Sequence, residues 1–171
     1  DMPFYFRYVH PILRTVSVAL RVICAIHFTN EYFIEITQCM GPSMLPTFNM
    51  VGDFVALERF SPRLRRLEMG DVIVCVSPTN PWRSVCKRII GMPGDRVCVD
   101  PTAVHRKFIT VPPGHVWIQG DNMSNSTDSR NYGPIPYALI VGKVFARVWP
   151  NPCWIKNGVI TLEERYIKKV P

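Results

Sequence analysis

Gly70-Asp71-Val72-Ile73-Val74-Cys75-Val76, followed after a polar stretch by Val85-Cys86-Lys87-Arg88-Ile89-Ile90-Gly91, decides how the chain is read. Both runs are short, rich in Val and Ile and bounded by turn residues, which are marks of strands. The pattern continues outward on both sides. Candidate strands are Phe54–Glu58, Val72–Val76, Val85–Ile90, Arg96–Val99, Phe108–Val111, Val116–Gln119 and Leu139–Trp149. Gly-Asp recurs at 52–53, 70–71, 94–95 and 120–121; the first three pairs precede a strand and the fourth follows one. Glycine supplies positive φ and aspartate can close an Asx-turn, so the pair marks turns for a physical reason. Sixteen prolines and ten glycines scattered over 171 residues argue against a helix bundle and for many short elements. The expectation is a mainly β protein, an antiparallel β domain behind an N-terminal helix, with the period changing from 3.6 to 2 from residue 50 onward.

Apolar residues at 47% and charged residues at 19% exclude a disordered tail, a collagen-like fibre and a coiled coil. The net charge is +7, but the densest basic stretch is only Arg63-Leu64-Arg65-Arg66, so no nucleic-acid partner is expected. Six cysteines (24, 39, 75, 86, 98 and 153) form no CxxC pair, and the four histidines (10, 27, 105 and 115) are spread apart. No metal and no cofactor is therefore expected. Cys75, Cys86 and Cys98 sit in apolar strand-like runs and read as small buried hydrophobes. Asn122-Met123-Ser124 and Asn125-Ser126-Thr127 are formal glycosylation sequons, without meaning where that machinery is absent.

Residues 12–28 are strongly apolar but carry Arg14 and Arg21. A bilayer span takes about 20 largely uncharged residues, and a central arginine costs on the order of 2.5–3.5 kcal/mol. On a helix Arg14, Ser17 and Arg21 fall at i, i+3 and i+7, one narrow polar stripe. A membrane span, a helix lying in the interface and a helix packed on a partner all fit this pattern. Arg14, with Arg7, can snorkel to the N-terminal side.

Gly41-Pro42-Ser43-Met44-Leu45-Pro46-Thr47 places a serine in a proline-stiffened loop, the setting in which a nucleophile is held rigid and accessible. Two bases could serve it. His115 could act with Asp121 or Asp128. Lys87 shares a strand face with Val85 and Ile89, and desolvation of its ammonium would lower its pKa from the free value of about 10.4. Arg88, one residue on, points to the opposite side. A third segment, from Gly120 to Gly133, is polar and holds Ser124, Ser126, Thr127, Asp128, Ser129 and Arg130.

Together these segments resemble the sequence boxes of type I signal peptidases, in order. The boxes are Ser43-Met44-Leu45-Pro46-Thr47, then Lys87-Arg88-Ile89-Ile90-Gly91-Met92-Pro93-Gly94-Asp95, then Gly120-Asp121-Asn122 with Ser126, Asp128, Ser129 and Arg130. The resemblance covers roughly residues 37–149. Cys86 before the lysine, Gly114-His115-Val116-Trp117, and Ser126-Thr127-Asp128-Ser129-Arg130 ahead of Tyr132-Gly133-Pro134-Ile135-Pro136 resemble the mitochondrial inner-membrane branch. Arg130 favours its subunit 1 type, since subunit 2 usually has Asn there. The resemblance implies a serine endopeptidase with a Ser–Lys dyad: Ser43 the nucleophile, Lys87 the general base, Ser126 hydrogen-bonding and orienting the lysine, and Asp128 with Arg130 bracing the same loop. The backbone N–H of Ser43 would form part of the oxyanion hole. Many bacterial members carry a hydroxyl donor two positions before the nucleophile; here that position is Gly41, leaving a backbone N–H or a water as the second donor.

The resemblance further implies removal of sorting presequences from precursor proteins. It implies a place in the mitochondrial inner membrane with the catalytic domain facing the intermembrane space, and a second protease subunit as heterodimer partner. The corresponding division is an anchor or interface helix over 1–36, a catalytic domain over 37–150 and a C-terminal tail over 151–171. Competing readings are a bacterial-type signal peptidase, a self-cleaving serine–lysine repressor domain and a catalytically silent structural subunit. The absence of a helix-turn-helix pattern opposes the repressor, and the intact Ser43, Lys87, Ser126 and Asp128 oppose the silent subunit.

Overall fold

In a computed structural model the described residues are 10–100 and 107–159. Arg7, His105 and residues 160–171 of the expected tail lie outside them. The chain divides into two compact units, residues 1–35 and 36–171.

Among the described residues the first unit contains one long helix, α1 (His10–Tyr32). Its 23 residues rise about 34 Å, close to the thickness of a bilayer's hydrocarbon core. It is long and apolar enough to cross a membrane. Ile12, Val16, Leu20 and Ile23 are exposed along it. The hydroxyls of Thr15 and Thr29 donate back to the carbonyls of Pro11 and Ala25, at 3.0 and 2.8 Å. Those polar groups are therefore satisfied within the helix itself.

The second unit is built on one large sheet. Its strands are β1 (Ile34–Cys39), β2 (Asp53–Glu58), β3 (Val72–Val76), β4 (Ser84–Gly91), β7 (His115–Gln119), β8 (Ile135–Pro136), β9 (Ile140–Trp149) and β10 (Cys153–Trp154). The order is β1-β2-β9-β3-β4-β7-β8, with β10 also on β9. β5 (Arg96–Cys98) and β6 (Phe108–Thr110) form a separate antiparallel pair. Two one-turn helices, α2 (Phe60–Arg63) and α3 (Ser129–Tyr132), complete the elements that bear on the site. Every strand read from the sequence is present.

Three strands, β1, β8 and β10, are not announced by the periodicity. Strand structure begins at Ile34 and not near residue 50. In Ile34-Glu35-Ile36-Thr37-Gln38-Cys39 the two isoleucines are exposed and the partly covered residues are Glu35, Thr37 and Cys39. Hydrophobic alternation therefore marks the outward face, the opposite of its usual meaning. Within the segment read as a tail, Cys153 and Trp154 pair with Arg147 and Ala146 of β9.

β3 explains the core. It is apolar at every position because it is covered on both faces. Ile73 and Cys75 pack with Leu67, Ile89, Val116, Ile118 and Ile135, whereas Val72 and Val74 pack with Met44, Phe48, Val55, Leu57 and Val144. β4 runs antiparallel to it, with Ile73 opposite Lys87 and Val72 opposite Arg88. The register thus sets a lysine of β4 beside Ile73, on a strand covered on both faces.

Candidate active site

Ser43 lies in a 3-10 turn, Pro42–Met44, and the neighbouring residues stake that turn to the core. Met44 and Phe48 are both 1% exposed, and the N–H of Phe48 donates to the carbonyl of Met44 at 3.0 Å. Gly41, with φ +113°, turns the chain into this segment and donates its N–H to the carbonyl of Met50 at 2.8 Å. A side chain at 41 would be strained in that conformation, so the hydroxyl donor of bacterial members does not suit this backbone.

Lys87 is 4% exposed, and its Nζ donates to Ser43 Oγ at 2.8 Å. Burial pulls its pKa below the ordinary lysine range. Cys86, Asp128, Cys75 and Cys39 oppose the shift without cancelling it. Ser43 and Lys87 share a cleft of about 140 Å³ with Thr37, Gln38, Cys39 and Met40 on one wall and Ser84, Val85 and Cys86 on the other.

The polar segment closes against the nucleophile turn through its first residues. The N–H of Asn122 donates to the carbonyl of Ser43 at 3.0 Å, and its Nδ2 donates to the carbonyl of Pro42 at 3.1 Å. Gly120 fits only because it has no side chain: a Cβ there would lie 2.4 Å from the Ser43 carbonyl oxygen and 2.3 Å from Ser126 Oγ. As motif residues in the sequence, Gly120 and Asn122 carry no role that their types alone announce. The same holds for Arg88. Its guanidinium donates to both carboxylate oxygens of Asp121, at 2.8 and 2.7 Å, and to the Gly70 carbonyl at 2.7 Å. Asp121 also accepts from the hydroxyl of Thr47, four residues after Ser43. The available signal was an arginine set inside an apolar strand run.

Arg130 grips Asp128 with two bonds of 2.9 Å and donates to the Met123 carbonyl at 2.8 Å, closing the intervening loop on itself. Burial alone would raise the Asp128 pKa, but Arg130 and the N–H of Gly120 outweigh it and hold the carboxyl below its usual range. Asp128 also caps α3, accepting from the N–H of Arg130 while Asn131 accepts from the N–H of Asp128. The expected Ser126–Lys87 hydrogen bond is not among the described contacts. Ser126 Oγ is buried and makes no hydrogen bond of ordinary geometry, although it lies close enough to Asp128 to help lower that pKa. Among the described residues the hydroxyl that Lys87 meets is that of Ser43, and Ser126 Oγ lies instead against the face of Gly120.

The histidine alternative is not assembled. His115 begins β7, five residues before Gly120, and an extended strand of that length spans about 17 Å. Its Nδ1 meets the carbonyl of Pro113 at 3.0 Å, and both aspartates considered as its partner are held by arginines.

A buried lysine on a serine in a cleft can perform one kind of chemistry readily: acyl transfer with an amine base. Comparison with known proteins agrees with that chemistry. The family model described as signal peptidase, peptidase S26, matches residues 12–107 and 100–149. Mitochondrial inner membrane protease subunit 1 of Schizosaccharomyces pombe is 49% identical over 81% of this chain and 88% of its own length. Mitochondrial ATP-independent inner membrane protease subunit 1a of Arabidopsis thaliana is 48% identical over 79% of this chain and 82% of its own. Mitochondrial inner membrane protease subunit 2 of Saccharomyces cerevisiae is 34% identical over 83% of each. With the family model and these relatives both spanning most of its length, the chain belongs to the signal peptidases of peptidase S26 and is a serine peptidase.

Proposed function

We propose that Ser43 and Lys87 are a catalytic dyad that removes sorting presequences from precursor proteins at the mitochondrial inner membrane. The observation that carries this reading is the 2.8 Å contact between Lys87 Nζ and Ser43 Oγ, on a lysine whose burial favours the neutral amine. Neutral Lys87 takes the Ser43 proton as Oγ attacks the scissile carbonyl. The Ser43 N–H faces the developing oxyanion. The ammonium then returns its proton to the leaving amine, and a water activated by the same lysine hydrolyses the acyl-enzyme. Asn122 and Gly120 act as positioning residues, through the Pro42 and Ser43 carbonyls.

Residues 37–150 form the catalytic part and 1–36 the anchor in this reading. The catalytic part faces the intermembrane space, and a related second subunit completes a heterodimer. The names of the relatives support the inner membrane as the location, and the subunit 2 relative supports the pairing. A silent structural subunit would have no use for a buried lysine on a serine hydroxyl.

The test is cleavage of precursor peptides by the detergent-solubilised chain, with the cut mapped by mass spectrometry. Ser43→Ala and Lys87→Ala are each expected to lose activity on the order of 10⁴-fold or more, and the double variant little further, because the two act as one unit. Folded single variants that retain near-parental turnover would remove the dyad.

A further inference from the structure

Two cysteines stand beside the dyad, and the reaction uses neither. Cys39 ends β1, four residues before Ser43; Cys86 lies on β4, one residue before Lys87. β1 and β4 are not neighbours in the sheet, since β2, β9 and β3 lie between them in the hydrogen-bonding order. Even so, the two side chains meet. They pack on the same cluster of Met44, Phe48, Val55 and Val74, and line the same cleft as Ser43 and Lys87. Both are free thiols and both are partly accessible.

We propose that Cys39 and Cys86 form a thiol modification site for low-molecular-weight disulfides, and that its oxidation to a Cys39–Cys86 disulfide switches the peptidase off. The two thiols have different parts in the exchange. The S–H of Cys86 donates to Cys39, which keeps the Cys39 pKa below its usual value against the opposing pull of burial and Asp53. The same bond, with burial, pushes Cys86 well up. Cys39 is therefore the attacking thiolate and Cys86 the resolving thiol.

In the first step Cys39 Sγ attacks one sulfur of a disulfide RSSR, forming a mixed disulfide and expelling RS⁻. In the second, Cys86 loses its proton and its Sγ attacks Cys39 Sγ, expelling the second RS⁻. The two cysteine protons end on the two released thiols. RSSR is reduced to two RSH, and the protein's two thiols are oxidised to one disulfide.

A disulfide holds its sulfurs about 2.05 Å apart and its Cα atoms at roughly 4.4–6.8 Å. Such a link would draw the walls of the cleft together. It would also tie the strand leading to Ser43 onto the strand carrying Lys87. A displacement of only about 1 Å between reacting groups costs on the order of 100-fold in rate.

The proposal takes the dyad as the reaction centre, so the test reads the crosslink separately from turnover. The full-length chain in detergent is equilibrated in buffers of rising oxidised-to-reduced glutathione ratio, then quenched by alkylation. Peptide mapping follows the crosslink, and cleavage of a precursor peptide follows activity. The expected result is a Cys39–Cys86 peptide appearing as activity falls roughly 100-fold, with both reversed by dithiothreitol. Cys39→Ser and Cys86→Ser, each compared with its own reduced state, should show no such oxidative loss. Both thiols still alkylated in oxidised glutathione, or a crosslink that forms with activity intact, would overturn the proposal. The crosslink is mapped in Ser43→Ala protein too. Reduced protein whose turnover did not depend on Ser43 would count against the dyad and leave this arm readable.

Discussion

Lys87 shows what its position costs. A lysine that is 4% exposed and has a depressed pKa binds fewer protons folded than unfolded at intermediate pH. Stability therefore rises with pH between its lowered value and the unfolded value of 10.5, and the penalty is fully present below the lowered one. Activity needs the neutral amine, so the rate should also rise with pH, through an ionisation below 10.5. Lys87→Met should be inactive yet more stable at neutral pH by roughly 1–3 kcal/mol, because a buried amine, costly to desolvate, is replaced by an apolar chain. Thermal unfolding in detergent and a pH–rate profile check these outcomes. A profile flat between about pH 6 and 10 would argue against lysine as base, and a profile altered by His115→Ala would favour the histidine.

At the level of elements, the loop between Gly120 and α3 carries an ion pair at each end, Arg88–Asp121 and Arg130–Asp128. Asp128 is fully buried, and Arg130 supplies two of its contacts while also closing the loop on Met123. Arg130→Ala leaves that carboxylate uncompensated, so stability should fall by roughly 3–5 kcal/mol. Activity should fall with it, because Gly120 and Asn122 hold the Ser43 turn. The depressed Asp128 pKa stabilises the fold above its unfolded value of 3.8, and that contribution is lost as pH falls through the lower folded value. Asp128→Asn should therefore unfold more easily at neutral pH and show a shallower acid limb. Unchanged melting and turnover in both variants would show the loop to be merely solvated.

For the whole molecule the exposed surface of α1 sets the expectation of a partner. None of its residues is buried, and Arg14, Ser17 and Arg21 share one stripe. Arg14 is near enough to the helix start to snorkel; Arg21 lies about midway, where a bare span would expose it to lipid. Arg21 is expected to face a second subunit. Arg21→Leu and Arg21→Glu should then reduce co-purification with the subunit 2 relative, or retention in carbonate-washed membranes. If neither measurement moves, a tilted interfacial helix with Arg21 among the headgroups is the better description.

The strands and the turns between them were legible because their signals are local. A run such as Val72–Val76 bounded by Gly70-Asp71 states its own conformation, and Gly52, Gly70 and Gly94 do take φ near +95°. β1 was not legible, since an alternating run does not say which of its faces will be covered. The three boxes around Ser43, Lys87 and Ser126 were visible as residues in order, but their geometry was not. The register Ile73 opposite Lys87 delivers the lysine to Ser43. The space at Gly120 exists only because two backbone segments far apart in sequence converge there. Local propensity acts over a few residues and can be read along the chain. Which buried groups meet, and hence which pKa values shift, depends on contacts between distant segments that only the folded packing creates.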